Sequence, residues 1–221
     1  MTKKEEVLAL LQQCSESERR EIFDQLRKEF QIHSLEADLN TQAEVILEAM
    51  ARSSDLTMRG IRGIIAEAAF LVDVLQKLEG WEVREIVGDA SYDFLIEDVV
   101  GPVSIQVKMQ RREKGVPLVR AEKFVVETQR TRTGKNAAGG ATRPYRFGEF
   151  DILAVSLHPS TNNWTDFMYT VGTWLRPRRG DPNLLEVFQP ISRQSNEDWT
   201  DNLETCIGWF RSGTRRTIES F

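Results

Sequence analysis

The sequence predicts an α/β protein, a β-sheet flanked by helices, with a helical appendage at its N-terminus. Three observations lead there. Residues 57–78 repeat apolar side chains at helical spacing. Residues 103–110 alternate, with Val103, Ile105, Val107 and Met109 on one face and Ser104, Gln106, Lys108 and Gln110 on the other. Residues 150–157 form a strongly apolar segment of strand length.

The elements follow in order. Residues 1–55 read as short helices forming an appendage for packing or dimerisation. The first spans Glu5 to Leu11. The second is capped by Ser15 or Ser17 and runs to about Phe30, with Ile22, Phe23, Leu26 and Phe30 on one face. The third starts at Asn40 or Thr41 and turns Val45, Ile46, Ala49 and Met50 inward. Their outer faces are too acidic for a DNA-reading helix-turn-helix. The domain 56–221 opens with a helix from Leu56 or Thr57 to Leu78, whose expected buried stripe is Ile61, Ile64, Ile65, Ala68, Leu71, Val72, Leu75 and Leu78. Glu67 lies at the edge of that stripe. Gly80 ends the helix.

Strands are expected at Trp81 to Val87, Tyr92 to Glu97 and Val103 to Gln110, the last two joined as a hairpin through a turn ending in Gly101-Pro102. Phe124 to Thr128 fits a strand or a helix. Residues 129–146 are polar, Gly-rich and basic, too long for a plain connection and therefore read as a functional loop. Phe150 to Leu157, Phe167 to Val171 and Leu184 to Phe188 read as further strands. A last helix runs from Asn196 or Asp198 to Phe210, with Trp199, Leu203, Cys206, Ile207 and Phe210 inward.

Composition narrows the function. The 221 residues contain no apolar run long enough to span a bilayer. The start, Met1 to Glu6, lacks the apolar core of a signal peptide. Cys14 and Cys206 read as buried, reduced thiols, so a cytoplasmic protein is expected. His33 and His158 make no familiar zinc spacing with them, and His158, before Pro159, reads as structural. Gly134-Lys135-Asn136 lacks the remainder of a P-loop. Net charge is −5, but it is unevenly spread. Residues 1–50 hold six basic and eleven acidic side chains, whereas residues 108–146 hold eleven basic and three acidic ones. A basic stretch inside an acidic chain is the footprint of a polyanion partner.

The hairpin carries the chemistry. Asp93 on one strand stands near Gln106 and Lys108 on the next. A carboxylate and an amide oxygen suit a hard divalent cation, and the ammonium beside them suits a phosphate. This pattern, an acid, a hairpin-spanning gap, then residue-any-Lys, resembles the PD-(D/E)XK nuclease superfamily and, within it, the type II restriction endonucleases. Tyr92 stands in place of the pattern's Pro, and Gln106 in place of its second acid, as in the Gln-any-Lys variant. The resemblance covers about residues 57 to 157.

The resemblance implies a restriction-endonuclease-like core, a central mixed β-sheet flanked by helices. It implies Asp93, Gln106 and the Val107 backbone carbonyl as ligands to Mg²⁺, and Lys108 acting on the attacking water and the phosphorane. It also offers Glu67 as an extra acid facing the metal, beside the reading of Glu67 as an ordinary boundary carboxylate. The expected activity is site-specific cleavage of double-stranded DNA by a homodimer, in a restriction system with a cognate DNA methyltransferase. Arg130, Arg132, Lys135, Asn136, Arg143 and Arg146 are the candidate DNA contacts, since Arg pairs with guanine and Asn with adenine. The alternative is a non-catalytic nucleic-acid-binding or assembly protein that keeps the fold, a reading consistent with Gln106.

Overall fold

The computed structural model describes residues 2–30, 33–86, 88, 90–129 and 144–221. The chain divides into two units, Met1–Met58 and Arg59–Phe221.

The first unit is helical: α1 (Lys3–Gln13), α2 (Glu16–Glu29), α3 (Leu35–Asp38) and α4 (Ala43–Ala51). Capping boxes start α1 at Thr2 with Glu5 and α2 at Ser15 with Glu18, so Ser15 rather than Ser17 is the cap. The start of α4 differs from expectation. Asn40 takes a left-handed φ of 47° and the Thr41 N–H closes onto the Glu36 carbonyl, which leaves Gln42 at the N-cap. Arg27 joins these helices by pairing with Glu36 at 2.8 Å and Glu44 at 2.9 Å. The expected inward faces are open instead: Phe23, Phe30 and Val45 are all more than half exposed. Among the described residues of this unit only Glu36 is buried. Cys14 is likewise half-buried rather than buried, at the end of α1.

The second unit holds the sheet. Helix α5 (Asp55–Ala69) gives way to a π-turn at Phe70–Val74 and a 3-10 turn at Leu75–Lys77, so the expected continuous helix to Leu78 is broken. A wider turn rotates the residues that follow it. The buried stripe runs through Ala66, Phe70 and Leu75, while Ile64 and Val72 are exposed. Phe70 sets that rotation: its ring meets Phe94 at 5.5 Å, Phe167 at 5.3 Å and Tyr169 at 6.2 Å.

Strands β1 (Glu82–Arg84), β2 (Phe94–Asp98) and β3 (Gly101–Met109) form an antiparallel meander. β1 is shorter than the Trp81 to Val87 predicted. The β2–β3 turn is Val99-Val100, closed by Asp98 Oδ1 accepting from the Val100 and Gly101 N–H groups at 2.9 and 3.1 Å. Gly101 has a φ of 137°, which favours glycine. Short strands β4 (Arg112–Glu113), β5 (Val116–Pro117) and β6 (Val119–Arg120) lead to β7 (Lys123–Glu127), which resolves the ambiguous Phe124 segment as strand. Then come β8 (Ile152–Ser156), α6 (His158–Thr161), β9 (Phe167–Val171), β10 (Pro177–Arg178), β11 (Asp181–Leu185), β12 (Phe188–Ile191) and α7 (Leu203–Arg211).

The main sheet has the order β1-β2-β3-β8-β9, with β3 and β8 parallel and the other neighbours antiparallel. This is a mixed sheet flanked by helices, the fold class the sequence predicts. β8 is buried along its whole length, as expected of a strand with both faces covered. A second sheet, β12-β7-β6, joins the end of β3 through a bridge between Gln110 and Val126.

Two C-terminal expectations change. Leu184 to Phe188 is two strands, because the Glu186 and Val187 carbonyls between them turn to Thr128. α7 starts at Leu203, capped by Asn202, whose Oδ1 accepts from Thr205 N–H at 2.7 Å. Asn196 instead closes a turn, accepting from the Asp198 and Trp199 N–H groups.

Candidate active site

The β2–β3 register builds the site. Phe94 pairs with Ile105, so Asp93, one residue earlier, lies opposite Gln106. Its N–H donates to the Ile105 carbonyl at 3.0 Å, extending the ladder to that position. Partners across a ladder share a face. Gln106, Lys108 and Gln110 share theirs by the strand's period of two. β3 is held on its other side by β8, with Gln106 opposite Leu153 and Lys108 opposite Val155. Asp151 pins the entry to that pair, its Oδ2 accepting from both the N–H and the hydroxyl of Ser104.

Asp93 Oδ2 accepts from the Val107 N–H at 2.8 Å and from the Gln106 amide nitrogen in a short contact. The same amide nitrogen donates to the Val107 carbonyl at 3.1 Å. The three residues assigned to a metal therefore converge on one another. Burial of the Asp93 carboxyl raises its pKa, an effect opposed by the Lys108 charge and by the two hydrogen bonds it accepts. Glu67, on α5, is pushed up to about 7, first by burial and then by the negative charge of Asp93, with Lys108 pulling the other way. Asp93, Lys108 and Glu67 thus lie within one electrostatic neighbourhood. Lys108 Nζ stands over the ring of Tyr145, 5.4 Å from its centroid.

The donor set suits a hard cation. Asp93 Oδ2 and the Val107 carbonyl are two oxygens satisfied by one polarised N–H₂ group, which is the place a small cation would take. Exchange of the two ends of the Gln106 amide adds Oε1 as a third oxygen. The set carries one carboxylate, Asp93, beside Glu67, whose own carboxyl is pushed up to about 7. Among the described residues, no three His, Cys, Asp or Glu side chains cluster as a metal site.

Arg130, Arg132, Lys135, Asn136 and Arg143 lie outside the described residues. Arg146 is exposed, bridges to Leu184, and has its N–H held by the Glu149 carboxylate at 3.0 Å. His158 starts α6 and stacks on Trp164 at 3.7 Å. Tyr145 escaped sequence reading because it falls inside the basic stretch, where nothing marks an aromatic as buried. It is 4% exposed. Among the described residues, no helix is long and apolar enough to cross a membrane.

No protein-family model matches this chain, and no curated protein matches it. Among solved structures, a bacterial homing endonuclease, I-Ssp6803I, is similar over 70% of this chain and 94% of that chain, with 20% sequence identity and a TM-score of 0.41. A likeness of that degree carries no conclusion about chemistry, which rests on the side chains themselves.

Proposed function

We propose that this chain is a Mg²⁺-dependent, site-specific endonuclease for double-stranded DNA, working as a homodimer in a restriction system beside a cognate DNA methyltransferase. The observation that carries the reading is the convergence of Asp93, Gln106 and the Val107 carbonyl on adjacent strands, next to Lys108 and Glu67.

Phosphodiester hydrolysis needs an activated water, neutralisation of charge on the phosphorane, and a proton for the leaving oxygen. Mg²⁺, when bound, supplies Lewis acidity and lowers the pKa of water. Asp93, Gln106 and Val107 would hold it. Lys108 supplies a fixed positive charge where negative charge develops. Glu67, with its pKa near 7, has the proton affinity of a general base that works at neutral pH. The basic stretch 108–146 supplies the counter-charge for the DNA backbone.

A supercoiled-plasmid assay with and without Mg²⁺ tests the proposal. Wild type should linearise plasmids carrying its site only with the metal. Asp93→Ala and Lys108→Ala should each lower the rate by about 10³-fold or more, with folding unchanged by circular dichroism. Cleavage at the wild-type rate by either variant would remove the assignment. The second reading, a non-catalytic DNA-binding protein, is favoured by the Gln106 amide nitrogen already satisfying both Asp93 and the Val107 carbonyl. It predicts DNA binding with no metal-dependent cutting.

A further inference from the structure

The Lys108–Tyr145 contact is held from both ends. Tyr145 is buried. Its ring sits edge-on to Phe150, with centroids 5.4 Å apart at 87°. Its carbonyl accepts from the Leu185 N–H at 2.9 Å, and the next residue bridges to Leu184. Lys108 is fixed by the β3–β8 register, and its Nζ is 5.4 Å from the ring centroid. A cation over an aromatic face is attracted by the ring's quadrupole, and more strongly where water is excluded.

The chemistry explains why a ring suits this place better than a carboxylate. An acid here would pair with Lys108 and cancel the charge it presents to a phosphate. It would also add negative charge beside Asp93 and Glu67, where burial already disfavours it. A π face orients the ammonium and leaves its net charge intact.

We propose that Tyr145 is a positioning residue for DNA hydrolysis: its ring face holds the Lys108 ammonium in the orientation in which it meets the scissile phosphate. The proposal rests on the nuclease reading above.

The test uses the full-length chain with Tyr145→Phe, a series of fluorinated phenylalanines at position 145, and Tyr145→Leu. Fluorination drains the ring's π density while nearly preserving its volume, so a purely packing role would not respond to it. Single-turnover plasmid cleavage with Mg²⁺ should stay within about threefold of wild type for Tyr145→Phe. It should then fall stepwise with fluorination, by about tenfold at three fluorines, while DNA affinity and the thermal midpoint hold. In the protein alone, the Lys108 ε-CH₂ resonance, identified by its loss in Lys108→Ala, should be shifted upfield by the ring current and return in Tyr145→Leu. An unshifted resonance overturns the contact. A wild type that cuts, with a flat fluorination series, defeats the positioning role alone. A wild type that cuts no plasmid defeats the nuclease reading and this role with it.

Discussion

Glu67 shows how one side chain reports its surroundings. Its carboxyl is raised from 4.5 to about 7, first by burial and then by Asp93. Between those values the unfolded chain has released the proton and the folded chain keeps it. The unfolded state then binds fewer protons, so stability falls as pH rises from about 4.5 to 7 and is level on this account above it. A shift of this size corresponds to about 3 kcal/mol. Solvent screening at a partly exposed carboxylate reduces it to roughly 1–2 kcal/mol. Urea unfolding in metal-free buffer should show this slope in wild type and lose it in Glu67→Gln, which should be the more stable protein at pH 8. Equal slopes in the two proteins would place Glu67 in open water. Asp98 behaves oppositely. The Arg211 guanidinium, bound to both its oxygens at 2.8 and 2.6 Å, holds its carboxyl far below the usual range. Its contribution is present above the unfolded pKa and is lost only as pH falls through the depressed value.

Elements place these groups by packing. The site sits on β3, which is clamped between β2 and β8, and the end of β9 tightens the far side of that clamp. There Gly172 follows β9 and its N–H donates to the Asp151 carbonyl at 2.7 Å. A Cβ at Gly172 would lie 2.5 Å from the Phe150 carbonyl oxygen and 3.1 Å from its ring. Backbone must move to admit it. Gly172→Ala should therefore cost about 1–3 kcal/mol, lowering Tm by roughly 3–10 °C. Because Phe150 abuts Tyr145, the same change should also slow cleavage. A calorimetric midpoint equal to wild type would show that the strand end relaxes freely. Phe70, in the turn just after α5, is the corresponding anchor, its ring reaching both β2 and β9.

For the molecule, two properties matter: uneven charge and an open apolar surface. The first unit exposes Phe23, Leu26, Phe30, Leu39 and Leu47, more apolar surface than a lone helical unit usually leaves to water. One active site cuts one strand, and a palindromic site is most simply cut by a two-fold pair of chains. Sedimentation with cognate DNA should accordingly find two chains per duplex. A strict monomer that cuts both strands would overturn the dimer. The basic window places the counter-charge in the second unit, so binding should weaken steeply with added salt.

Much of this was legible in the residues. The alternation along 103–109 predicted β3 and its polar face, and the short hairpin brought Asp93 to Gln106, because turn length sets register and register sets face. Phe167–Val171 matched its strand to the residue. These are local matters, decided by backbone geometry within a short window. Other features depended on partners far along the chain. The stripe of α5 turned to follow Phe70, whose ring found Phe94, Phe167 and Tyr169. Asn196 became a turn and Asn202 a cap because the segment between them bridges to Tyr169. Tyr145 went under Lys108, and Glu67 acquired its high pKa, only once the sheet assembled around them. Periodicity is a property of neighbours in sequence. Burial, ring contacts and local dielectric are properties of neighbours in space, and folding alone supplies those.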